Sequence, residues 1–201
     1  MKRNLYLLAL VSFLVTVSCC APIMPSPRSE PQIDKLGELL LDVSTMPSGW
    51  RQDGIGGELD YEELPREAQE GSYIRFASSD SEVGVWHSVY VFRDRGAAAR
   101  AFRRDRALGF YDAGRTTAWE SPEWMKCQSP VADQYQCACA DYSGGYPAET
   151  GQHCVFAGQY GRYISTFTIG LSSSRTILSY TELAEQIIQA IDARMESRTE
   201  L

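Results

Sequence analysis

The ten residues Val83–Phe92, Val-Gly-Val-Trp-His-Ser-Val-Tyr-Val-Phe, constrain the fold more than any other stretch of the chain. Side chains alternate across an extended strand. Val83, Val85, His87, Val89 and Val91 therefore share one face, and Trp86, Tyr90 and Phe92 share the other. Both faces are largely apolar. Such a strand is covered on both sides and belongs in the middle of a sheet.

The neighbouring segments supply the sheet and its cover. Asp34 to Leu41, with Leu36, Leu39, Leu40 and Leu41, reads as a short first helix. Met46-Pro47-Ser48-Gly49-Trp50 is a turn that leads into a strand, and residues 53–71, with Gly54, Gly56, Gly57, Glu62 and Glu63, read as a long exposed loop. Strands are expected at 73–77, 134–142, 153–157 and 162–171, with a turn at 78–81 and a Gly/Pro loop at 143–151. A helix over 95–110 would turn Ala97, Ala98, Ala101 and Phe102 inward, while residues 119–125 carry no clear pattern. The clearest helix is 178–195: Thr181, Glu182 and Glu185 open it, and Leu183, Ile187, Ile188, Ile191 and Met195 line one side. Hairpins with helices between them, rather than regular crossovers, predict an α+β fold. In it a mainly antiparallel sheet packs against helices that include the amphipathic C-terminal one. Residues 34–198 then make one domain, long enough to bury about 70% of its unfolded surface.

The N-terminus decides where the chain works. Lys2 and Arg3 precede an apolar run, Leu5 to Val17, which ends in Ser18, Cys19 and Cys20. That is the layout of a secretion signal. At 1.5 Å per helical residue the run is too short to cross a hydrocarbon layer of ~30 Å. Thr16-Val17-Ser18-Cys19 resembles a bacterial lipobox, the signal for acylating a cysteine and cleaving before it. The resemblance implies residues 1–18 as the signal peptide and Cys19, after the small Ser18, as the lipidated residue. Val17, three places before Cys20, makes Cys20 the alternative. Pro22, Pro25, Pro27 and Pro31 keep the next segment from helix, so 19–33 is a lipidated tether of about 30 Å reach. The partner implied is the cell membrane, through lipid.

Four further cysteines, Cys127, Cys137, Cys139 and Cys154, follow in an exported context, where disulfides are expected. Cys137 and Cys139 point the same way on a strand about 6.6 Å apart, too far for a bond whose Cβ atoms lie ~3.8 Å apart. Two pairings remain. Cys127–Cys137 with Cys139–Cys154 is preferred, because each bond then joins neighbouring segments. A four-thiolate metal site fits poorly, since such ligands usually come as C-x₂-C pairs; no metal is expected.

Leu39-Leu40-Leu41-Asp42, Met46-Pro47-Ser48-Gly49-Trp50, the C-x-C strand and the closing amphipathic helix together resemble exported sensor-type domains. These occur on bacterial receptor Ser/Thr kinases and as free lipoproteins. The resemblance implies two disulfides and a cleft over a mixed sheet, and no active site on named residues. A PsbP/Mog1-like α/β/α domain is the other family that the chain resembles.

Chemistry is sparse. There is no G-x-S-x-G, no H-E-x-x-H and no glycine-rich phosphate loop. His87 lies among valines and reads as a core histidine; His153 faces away from Cys154. Arg93, Arg95, Arg100, Arg103, Arg104 and Arg106 form a basic run that would grip an anionic ligand or lipid headgroups, although a solvated helix face is the plainer reading. Trp86, Trp119, Trp124, Tyr142 and Tyr146 would line a pocket if they are not core. A net charge of −7 speaks against nonspecific nucleic-acid binding. The expectation is a lipid-anchored extracytoplasmic binding or interaction domain, without cofactor or catalysis, for a small ligand or an envelope protein. A cell-envelope enzyme with a site scattered along the chain is the alternative.

Overall fold

The structure, a computed structural model, describes residues 36–80, 82–104, 108–110, 114–122, 127–143, 150–172 and 181–199. The chain divides into Met1–Asp34 and Lys35–Leu201, and the description below concerns the second unit. The signal, Cys19, Cys20, the tether, Arg106, Trp124 and Tyr146 lie outside the described residues.

Seven strands form one antiparallel sheet: β1 (Arg51–Gln52), β2 (Gly57–Glu58), β3 (Ala68–Ala77), β4 (Val83–Phe92), β5 (Gln134–Ser143), β6 (Thr150–Tyr160) and β7 (Tyr163–Ser172). Their order is β1-β3-β4-β7-β6-β5, with β2 also pairing with β3. The chain leaves β4 through helix α1 (Arg95–Arg104) and reaches the far edge at β5. It then returns by hairpins to set β7 beside β4, and it ends in helix α2 (Thr181–Thr199). The fold is α+β, as the pattern predicts.

Strand β4 is central, as its two apolar faces require. On one face Val83, Val85, Val89 and Val91 join Phe156, Phe167, Ile169 and Leu171 beneath α2, whose Leu183, Ala184, Ile187, Ile188, Ile191 and Met195 complete the cluster. On the other face Tyr90, Phe92, Ala157 and Ile164 pack under α1 through Ala97, Ala98, Ala101 and Phe102. Burying one such aliphatic side chain contributes roughly 1.5–3 kcal/mol. Asp94 closes the start of α1 by accepting the N–H of Ala97 at 2.7 Å. No helix among the described residues is long and apolar enough to cross a membrane.

Several boundaries move. The expected first helix shortens to one 3₁₀ turn, Leu36–Glu38. Leu39, Leu40 and Leu41 are buried beyond it, and the N–H of Leu41 is taken by His87 instead of an earlier carbonyl. About a third of the expected exposed loop, residues 57–58 and 68–71, is strand. β3 starts at Ala68, and Gly71 is required there because a Cβ would stand 2.7 Å from Leu64 and 3.0 Å from the Tyr90 ring. α1 stops by Arg104, and Leu108 to Phe110 is not helical, with Gly109 at φ +87°. Strand β6 is longer than expected, and α2 runs on to Thr199.

Both outer strands are occupied. Residues 51–53 and 57–59 bond along β3, including Asp53 N–H to Arg75 C=O at 2.8 Å and Leu59 N–H to Gly71 C=O at 2.8 Å. Along β5 the segment 114–120 does the same, with Thr116 N–H to Asp141 C=O at 2.8 Å and a reciprocal pair between Glu120 and Cys139.

Candidate binding face

The histidines come first, because they are the residues most able to carry catalysis. His87 on β4 is fully buried. Its Nδ1 accepts the backbone N–H of Leu41 at 3.1 Å, and since that N–H only donates, the ring proton must sit on Nε2. Nε2 lies 2.9 Å from the hydroxyl oxygen of Ser165 on β7 and donates to it. A serine beside a histidine suggests a nucleophile and its base, but the proton is on the wrong side. Nε2 gives a hydrogen bond where a base would accept one. Burial, helped by the charge of Arg194, lowers the His87 pKa to about 3 and keeps the ring neutral. His87 is a core connector, as its place among valines predicts.

The second polar system is also structural. Asp192, buried on α2, accepts the Tyr160 hydroxyl at 2.7 Å and the Ser129 hydroxyl at 2.7 Å. Ser129 in turn accepts the N–H groups of Val131 at 3.2 Å and Ala132 at 2.9 Å. The Tyr160 ring reaches Asp192 by lying across Gly158, where a Cβ would stand 2.7 Å from it. Burial and then the Asp192 bond push the Tyr160 hydroxyl well above the usual range. The loop that bears Ser129 is closed by Cys127–Cys137, and Cys139–Cys154 joins β5 to β6 at their register pair.

The α1 side of the sheet is different. Arg75 on β3 lays its guanidinium over the Trp86 ring at 4.2 Å and the Tyr73 ring at 5.5 Å. Tyr73 and Trp86 are 6.0 Å apart. Such stacking fixes the plane of the guanidinium. Further along, Phe110, Trp119, Tyr142 and His153 form a continuous aromatic line, at 5.0 Å, 5.9 Å and 4.4 Å between successive rings. His153 stacks on Tyr142, and burial lowers its pKa. The register places Thr168 beside Trp86 and Gly170 beside His153. Tyr73, Arg75, Trp86, Thr168, Phe110, Trp119 and His153 are all half-buried, in contrast to the closed core under α2. The indole N–H groups of Trp86 and Trp119 are buried and meet no acceptor among the described residues.

Trp86, Trp119 and Tyr142 thus share this face; Tyr142 is buried, as the plainer core reading expects, while Trp86 and Trp119 are half-buried. Arg75 and Phe110 were not singled out, although an arginine alternating with aromatics on a strand, Tyr73-Ile74-Arg75, is a visible signal. No cluster of three or more metal-ligating side chains occurs among the described residues.

No protein-family model matches the chain, and no curated protein matches it. Among solved structures it is similar to the extracellular domain of PknH from Mycobacterium tuberculosis. The two are 12% identical, the match covers 82% of this chain and 94% of that chain, and the TM-score is 0.47.

Proposed function

We propose that the chain is an extracytoplasmic lipoprotein, anchored through Cys19 or, as the alternative acceptor, Cys20, whose domain binds a small ligand or an envelope protein and catalyses nothing. The apolar run that ends in Ser18-Cys19-Cys20 and the two cystines support export and anchoring. The observation that carries the binding role is the pair of buried indole donors, Trp86 and Trp119, on a half-open aromatic face. A buried donor without an acceptor costs about 1–3 kcal/mol. A ligand that offers an oxygen there recovers that cost, and the flat rings beside it supply apolar contact.

Two measurements test this. Replacing both Cys19 and Cys20 by Ala should move the chain from the membrane fraction to the soluble one; a double variant extracted only by detergent contradicts the lipid anchor. A photo-crosslinking residue at position 86, in cells, should capture an envelope component that the same residue at the exposed position 185 does not. Equal labelling from the two positions contradicts the binding face.

A further inference from the structure

We propose that the outer face of α1, with the turn before β3, docks on the anionic headgroups of the membrane that holds the chain. The inference rests on the anchored reading above. Its ground is a local reversal of charge. The chain carries a net −7, yet α1 contains Arg95, Arg100, Arg103 and Arg104 and no acidic residue. Arg100, Arg103 and Arg104 fall within one arc of the helix at i, i+3 and i+4, opposite the buried alanines. Arg66 joins them from the turn, where its charge acts on Glu67, and both it and Arg103 are exposed.

Among the described residues Glu67 is the carboxylate ion-paired with the cluster, and Asp94 at the start of α1 also feels the charge of Arg100. Glu67 accepts Arg100 at 3.0 Å and lies 3.8 Å from Arg104. The hydrogen bond from Arg100, and then the charges of Arg100, Arg104 and Arg66, hold its carboxyl below the usual range. Glu67 has φ +73°, the one such non-glycine value among the described residues. It is the third residue of the turn closed by Ala68 N–H to Pro65 C=O at 3.0 Å, a place where glycine is the usual occupant. The strained turn holds Glu67 between two arginines and sets Arg66 beside them, so that among the described residues the guanidiniums of the patch outnumber the carboxylates that neighbour them.

The arrangement suits a surface better than a point ligand. The guanidiniums spread over the helix and the turn instead of converging, and each can fork a phosphate. Charges farther than ~8 Å are largely screened at physiological salt, so the acidic remainder of the chain does not cancel the patch. Each arginine at an anionic surface raises occupancy about fivefold. A tether of about 30 Å keeps the domain close enough for such weak attraction to act.

The test uses the full chain on vesicles of phosphatidylcholine with and without phosphatidylglycerol. Tryptic cleavage after Arg103 and Arg104 should slow about tenfold where phosphatidylglycerol is present, and high salt should erase the difference. Arg66→Glu with Arg100→Glu, which leaves both cleavage sites in place, should abolish it, while Glu67→Gln, which removes a carboxylate from the cluster, should strengthen it; a gain of protection does not arise from misfolding. Equal cleavage on both vesicles, or weaker protection in Glu67→Gln, overturns the proposal. Protection by inorganic phosphate without vesicles also overturns it, since it marks a site for a soluble anion. If the anchor reading fails, the chain leaves plain phosphatidylcholine vesicles, and co-sedimentation with phosphatidylglycerol vesicles then reads the arginine face alone.

Discussion

His87 Nδ1 accepts the backbone N–H of Leu41, 46 residues earlier in the chain, at 3.1 Å in the core. That bond fixes the Leu39–Leu41 segment against β4 and leaves the imidazole no room to take a second proton. Arg194 of α2 reinforces the segment by donating to the Leu40 carbonyl and to Asp42.

Acid should therefore weaken the fold before its carboxylates titrate. The pKa of His87 is lowered from 6.5 to about 3, so the unfolded chain binds the proton first. The stabilising contribution is whole above pH 6.5 and is lost as the pH falls toward 3. At pH 5 the loss is about 2 kcal/mol. His153, lowered by burial as well, adds to it in the same direction. Denaturant unfolding of the wild type should show this slope between pH 6.5 and 5, and His87→Gln should flatten it. An unchanged slope in that variant places the sensitivity elsewhere.

Tyr160, Asp192 and Ser129 should behave as one unit. Tyr160→Phe and Ser129→Ala each remove one of the two hydroxyls that Asp192 accepts, at about 1–3 kcal/mol apiece. Their double-mutant cycle should leave a coupling of about 0.5 kcal/mol or more. Gly158→Ala, which drives a methyl into the Tyr160 ring, should mimic the loss of Tyr160. Strict additivity of the first two would show that the bonds act separately.

The docking of α2 sets a ranking. Ile187 is fully buried, and its truncation to Ala should cost about 2–5 kcal/mol. Glu185 is exposed, so its substitution by Ala should stay within about 0.5 kcal/mol. Gln186, on the outer side, is not idle: its amide donates to the Thr45 carbonyl at 2.8 Å. Gln186→Ala should fall between the two, at about 1 kcal/mol. Equal losses at 185 and 187 would mean that the helix is not packed on the sheet.

Peptide mapping without reductant should recover Cys127–Cys137 and Cys139–Cys154. Replacing Cys139 and Cys154 together by Ser should cost about 3 kcal/mol, the value for a loop of roughly 15 residues. Fragments that join Cys127 to Cys139 would refute this connectivity.

The parts of the fold legible in sequence were those with strong local periodicity. The two-faced strand at 83–92, the inner residues of α1 and the apolar stripe of α2 all follow from spacing. The start of β3 does not: Gln69 and Glu70 are exposed and polar, and only the pairing of Glu70 with Val91 on β4, past a bulge that leaves Gln69 without a register partner, makes this stretch strand. The first helix fails for a similar reason, because His87 competes for the N–H of Leu41. Asp192 was readable and missed. It lies on the same stripe as Ile188, Ile191 and Met195, and an acid on a buried stripe announces a partner. Its partners, Tyr160 and Ser129, are set by tertiary packing and leave no local trace. The aromatic face was half legible, since aromatics could be counted, but their grouping on one face depends on strand register.

The occupied outer strands have a consequence wherever copies of this chain meet at high concentration. A sheet border with a free row of amides is a template on which a neighbour's backbone can zip, regardless of side chains. Here residues 51–59 and 114–120 act as selvedges, woven back along the sheet so that it cannot fray into another. Contact between copies is then left to side chains on the faces, where identity is read, and close crowding need not end in fibres.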